Sequence, residues 1–245
     1  MKTLFFFLTL FLSVTLSGQK LVIENGDTLN RFDSQGKKDG KWIEHFGAAR
    51  ITGSYSHGVK EGVWLSYFLS GMLNSLTEYH NGMQDGVALV FDDKGHLRNE
   101  RHMRQNKLHG VNIFYGTNGK PIFKQSFENG VKNGPYTRYY QNGDTLLLEF
   151  FKDGKKDSVS VYYGEHKNVM AVIHYKNGDF DGSYISYYDN GKIKEITNYK
   201  NGLKEGEYLE YYDNGKLKTE GRYKGDKKSG KWKYFDKSGK RVRKG

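Results

Sequence analysis

DGSYISYYDNGKIKEITNYKNGLK, residues 181–204, is followed without a gap by EGEYLEYYDNGKLKTEGRYKGDKK, residues 205–228. The two segments agree column by column over 24 residues. The same spacing leads back to unit starts at Asp157, Asn133, His109, Asp85 and Glu61. A unit from Asp39 is two residues shorter, and a partial unit runs from Ser229. Nine units cover residues 39–245. A period of this length is the mark of an array built from one supersecondary motif.

Columns recur inside the chain. The second position is Gly in eight units, with Ser158 as the exception. The seventh is aromatic at Tyr67, Phe91, Tyr115, Tyr139, Tyr163, Tyr187, Tyr211 and Phe235, with His45 in the first unit. The fifth is aliphatic in seven units, among them Ile185 and Leu209, and a late column is bulky from Tyr55 to Tyr223. Two places in the unit carry Asn-Gly: Asn118, Asn142, Asn190 and Asn214 in one, Asn81, Asn129, Asn177 and Asn201 in the other. Asn-Gly between β-rich segments signals a hairpin, because a type I′ turn needs positive φ at both central residues. Each unit is therefore expected to run strand, tight turn, strand, then a longer Gly-containing turn. Two Pro in 245 residues suit strands that need their N–H groups.

A two-residue turn at Asn190-Gly191 would pair Tyr188 with Ile193 and Tyr187 with Lys194. Side chains alternate along a strand. One face would then hold Tyr184, Tyr188, Ile193 and Tyr199, and the other Ile185, Tyr187 and Ile196. A one-residue change of register would exchange such assignments, so the buried face stays open at this point.

One unit has too few large side chains to offset the entropy of ordering its backbone. Stacking supplies the missing stabilisation as nearest-neighbour terms. The expected fold is all-β: an elongated antiparallel β-meander of stacked 24-residue hairpins. About 18 strands at ~4.8 Å spacing give a body roughly 85 Å long. The strings FDSQGK (32–37) and FDKSGK (235–240) resemble each other and place a half-unit at each end.

Residues 1–18 read as a cleavable signal peptide. Lys2 precedes an apolar run from Leu4 to Leu16, and small residues follow at Ser17 and Gly18. The expected compartment is periplasm, envelope or extracellular space. Residues 19–38 are expected to add a capping hairpin through Asn25-Gly26, and residues 39–245 form one continuous repeat domain. The chain has no Cys, which excludes disulfides and thiolate sites.

The string DGSYISYYDNGKIKEITNYKNGLKEGEYLEYYDNGKLKTEGRYKGDKKSGKWKYF, residues 181–235, resembles the MORN-repeat variant. Proteins of this kind are often labelled toxin–antitoxin system YwqK family antitoxins. The resemblance implies an array of β-hairpins, no enzymatic activity and a binding role toward proteins or membranes. Two features depart from it. The export signal sits badly with a cytoplasmic antitoxin, and unit six has GEHKN (164–168) where others have Asn-Gly.

No pattern of residues carries chemistry. There is no G-x-S-x-G, no phosphate-binding Gly loop and no H-E-x-x-H. The eight His are scattered, and Asp179-Phe180-Asp181-Gly182 lacks the later acidic ligands of a calcium loop. The expectation is no catalytic residue, no cofactor and no metal. The net charge of +11 is unevenly placed: 13 basic and three acidic residues lie between Lys216 and Gly245. Outside the cytoplasm such a patch has no nucleic acid to meet. It serves either to protect a sheet edge or to meet anionic lipid or an envelope surface. Candidate binding residues are Tyr184, Tyr187, Tyr188, Tyr208, Tyr211 and Tyr212 in the aromatic columns, with Lys227, Lys228, Lys231, Lys233, Arg241 and Arg243 at the basic end. The tyrosines have a plain alternative as repeat core. The expected function is an exported, non-enzymatic scaffold that binds protein. Two alternatives stand beside it: an antitoxin or immunity protein, and a binder of anionic membrane surfaces.

Overall fold

The computed structural model describes residues 22–24 and 27–243. The signal segment, its cleavage site and the Asn25-Gly26 turn lie outside the described residues. From Lys38–Phe46 to Lys227–Phe235, strands of nine and eight residues alternate without a helix between them. Each strand pairs antiparallel with the next one in the chain, so the array is one long sheet of successive hairpins. A ring order would put Arg241–Val242 beside Arg31–Phe32. No set of Cα partners joins those two strands, and each is paired to its chain neighbour instead. The described ribbon is therefore open, with these short strands at its ends. At the first end, Val22–Glu24 pairs with Asp27–Leu29. Asn30 ties this pair to the first unit: its N–H donates to the Lys41 carbonyl at 2.9 Å, and its Oδ1 accepts from Ile43 N–H at 2.8 Å.

The two kinds of turn are the reverse of the sequence expectation. The tight turn lies between units. Asn201 and Gly202 both have positive φ (48° and 82°), and Lys200 pairs directly with Leu203. This is the type I′ geometry, repeated at Asn81, Asn129 and Asn177. Inside the unit the turn is longer. Gly191 N–H donates to Tyr188 C=O at 2.9 Å, Tyr188 N–H donates to Lys192 C=O at 2.8 Å, and Gly191 has φ of 79°. Asn190 is not left-handed. A three-residue loop that ends in a left-handed Gly absorbs one more residue than a type I′ turn. Tyr187 consequently pairs with Ile193, not with Lys194. Ile193 therefore moves to the face of Ile185 and Tyr187, a slip of the kind that exchanges faces.

The second-column Gly has its own cause. Ile173 pairs with Tyr184 and Tyr175 with Phe180, so His174 alone stands opposite residues 181–183. The extra length forms a bulge, and Gly182 carries it at a φ of 113°. Only Gly adopts that backbone without strain. Ser158 holds the same place at 75°.

Candidate binding surface

Cross-strand partners share a face, and following them across the ladders resolves two continuous rows. One runs Trp42, Gly53, Trp64, Thr77, Ala88, Arg101, Asn112, Gln125, Tyr136, Glu149, Ser160, Ile173, Tyr184, Thr197, Tyr208 and Gly221, with the step from Gly53 to Trp64 made by side-chain contact at a bulge. Trp232 continues it. Side chains in this row complement one another in size. Each Trp is flanked on at least one side by Gly: a Cβ on Gly53 would lie 2.2 Å from Trp64, and one on Gly221 would lie 2.3 Å from Trp232. Beside the row stand further rings, in edge contacts such as Tyr55–Trp64 at 5.0 Å and Tyr223–Trp232 at 5.2 Å between centroids. Lysine stems cover this aromatic face. Lys60 Nζ lies 3.9 Å from the Trp64 ring, Lys228 Nζ 4.1 Å from Trp232, and Lys156 and Lys204 repeat the arrangement over Tyr175 and Tyr223. A cation over a ring face gains from the ring quadrupole while its methylenes shield apolar surface.

The opposite row is aliphatic over much of its length. Leu65, Leu76 and Leu89 lead to Ile113, and Leu148, Val161, Val172, Ile185, Ile196 and Leu209 follow. Every one of them is only half-buried, and no second layer covers them among the described residues. A sheet face of this kind normally buries itself against another element. Here the cover is missing from the described chain.

The candidate residues fall into separate places. Tyr184 and Tyr208 stand in the aromatic row with Thr197 fully buried between them. Burial, and then the Glu195 and Glu210 carboxylates, push the Tyr208 phenol upward. Tyr187 and Tyr211 belong to the opposite, aliphatic face. Tyr188 and Tyr212 sit at the loop edge and act as struts: the Tyr188 hydroxyl donates to Tyr211 C=O and the Tyr212 hydroxyl to Phe235 C=O, both at 2.8 Å. At the basic end, Lys227, Lys228, Lys231, Arg241 and Arg243 are exposed. Lys233 is partly engaged by Glu220 at 2.9 Å. The tyrosines thus do not form one cluster, and the basic residues are spread around the terminal strands.

Sequence reasoning missed Asn112, Gln125 and Glu149. They occupy the middle of the aromatic row and are 8%, 2% and 4% exposed. Glu149 accepts a hydrogen bond from Lys156 Nζ. Burial opposes the Lys156 charge, and the Glu149 carboxylate more than offsets it, so the ammonium titrates above its ordinary value. The signal was present in the fourth and seventeenth columns read together, where Asn112, Gln125 and Glu149 replace the rings and Thr found in other units, such as Trp64, Thr77, Tyr184 and Thr197. Among the described residues, no group of three His, Asp or Glu is placed to hold a metal ion.

Four segments, residues 60–81, 108–129, 180–201 and 204–224, match the model of the MORN repeat variant. The segments fall on the hairpins described above. No curated protein matches the chain.

Proposed function

From a β-hairpin array in which four segments match the MORN repeat variant, we propose an exported, non-enzymatic scaffold that binds a partner protein through its aliphatic face. One observation carries this reading. From Leu148 through Val161, Val172, Ile185 and Ile196 to Leu209, an unbroken row of Leu, Ile and Val stands half-exposed, with no layer of the described chain over it. Contiguous apolar surface of that extent marks an interaction site. The backbone groups inside the sheet are used in the ladders, so recognition falls to the side chains of the face. An antitoxin or immunity role is the special case in which the partner is a toxin.

The test is capture of partners from an envelope extract by residues 19–245. Val172→Lys with Ile196→Lys, checked for an unchanged circular dichroism spectrum, is the comparison. A partner retained by the native chain and lost by the double variant supports the reading. Equal recovery on both removes the aliphatic face from it.

The uneven charge favours a second reading, attachment to an anionic surface through the last 30 residues. Each basic residue near such a surface is worth about 1 kcal/mol. Binding to vesicles rich in anionic lipid should then fall when Lys227, Lys228, Lys231, Lys233, Arg241 and Arg243 become Gln. Unchanged binding rejects it.

A further inference from the structure

The middle of the aromatic face differs from its ends. Trp42, Trp64 and Trp232 fill the row near the termini, whereas Asn112 and Ser160 stand where rings would be on either side of Tyr136. A groove of about 640 Å³ opens around Tyr136, and Asn112 lines it in place of a ring. Its walls are rings: Phe123 lies 5.9 Å from Tyr136 and Phe151 6.4 Å from it, centroid to centroid. Its polar groups converge from the row itself. Asn112, Gln125 and Glu149 all line the groove. Gln125 Nε2 donates to Ser126 C=O at 2.9 Å, and its Oε1 is buried without a partner. A buried acceptor left unpaired costs free energy that a ligand or water donor can recover.

The chemistry of the groove limits what fits. A volume in the usual range for small-ligand sites, apolar walls and a few placed polar groups describe a binding site. Glu149 is matched by Lys156, which leaves Lys132, stacked 5.1 Å from the Phe151 ring, as the remaining charge. Strongly anionic and strongly cationic ligands therefore lack a partner of sufficient charge. An added peptide strand has no free edge here, because the strand of Tyr136 is paired to a neighbour on both sides. A ligand that alternates flat C–H faces with hydroxyls meets both the rings and the amide and carboxylate groups. We propose that the groove around Tyr136 is a binding site for a neutral oligosaccharide. The site is on the face opposite the aliphatic row, so it stands or falls independently of protein binding there.

The experiment is saturation-transfer NMR and calorimetry on residues 19–245 with maltotriose, cellotriose, chitotriose and mannotriose. At least one should bind with a Kd in the micromolar to low-millimolar range. Tyr136→Ala and Gln125→Leu should each weaken it at least tenfold. Tyr208→Ala, at the same column three units away, should leave it unchanged. Lys132→Gln, at the groove rim, provides a variant that leaves the row intact, and a several-fold loss is expected. No binding by any of the four sugars at about 10 mM, a weak limit on the affinity scale, overturns the proposal. So does binding that Tyr136→Ala, Gln125→Leu and Lys132→Gln all leave unaltered.

Discussion

Gly53 and Trp64 compete for the same space: a methyl group on Gly53 would stand 2.2 Å from Trp64 Cδ2. Gly53 also pairs directly with Trp42 across the ladder. Gly53→Ala should destabilise this end of the array by about 1–3 kcal/mol, the usual cost of overpacking. Trp64→Tyr in the same chain should recover part of that loss, since Thr197 lies between two tyrosines without conflict. The three Trp of the chain sit in this row, so urea unfolding followed by Trp fluorescence reads the effect. Equal midpoints for Gly53→Ala and the native chain would show that the indole shifts without cost.

Ser158 and Gly182 occupy the same bulge position in successive units, with φ of 75° and 113°. A Ser side chain at positive φ carries strain that Gly does not. Ser158→Gly should therefore stabilise the array by about 0.5–1 kcal/mol, after the greater entropy of Gly in the unfolded chain is counted against it. The check is a higher thermal midpoint. A lower one would mean that the Ser158 side chain contributes more than its backbone costs.

The period, the all-β class and the hairpin order were legible from residues 181–228 alone, and the matching end loops from FDSQGK (32–37) and FDKSGK (235–240). The end loops even share one device: Asp33 Oδ1 accepts from the N–H groups of Gln35 and Lys37, and Asp236 Oδ1 from those of Ser238 and Lys240. Turn type was not legible, because Asn190-Gly191 and Asn201-Gly202 are the same dipeptide. What separates them is the register of the flanking strands, which only the assembled ladder fixes. The bulge at Gly182 was hidden for the same reason. At the candidate site, alternation alone sets Tyr184 and Tyr187 on opposite faces, whereas the face of Ile193 waits on the loop register.

Tyr140, Tyr188 and Tyr212 hold successive loops together, each through a hydroxyl donated at 2.8 Å to a carbonyl 23 residues later. Phe at any one of them should cost about 0.5–1.5 kcal/mol, the net value of one hydrogen bond. The losses at Tyr140 and Tyr188 should add, since the two struts lie in different units and share no partner. Denaturation of the single and double variants measures this. Strong non-additivity would mean that the loops act as one cooperative edge.

The carboxyl of Asp236 is held below its ordinary value of 3.8, first by the Ser238 hydroxyl and then by the Lys240 N–H. A depressed carboxyl stabilises the fold while ionised. Its contribution is complete above the unfolded value and is lost as pH falls through the lower folded value. The C-terminal loop should therefore keep its order through mild acid and loosen only below about pH 4. Ser238→Ala removes the first cause, so the Asp236 titration should move up toward 3.8 and the loop should loosen at a higher pH. NMR titration of the Asp236 side chain follows the first effect, and Trp232 fluorescence against pH follows the second. If Ser238→Ala leaves both curves in place, the backbone N–H groups alone account for the shift.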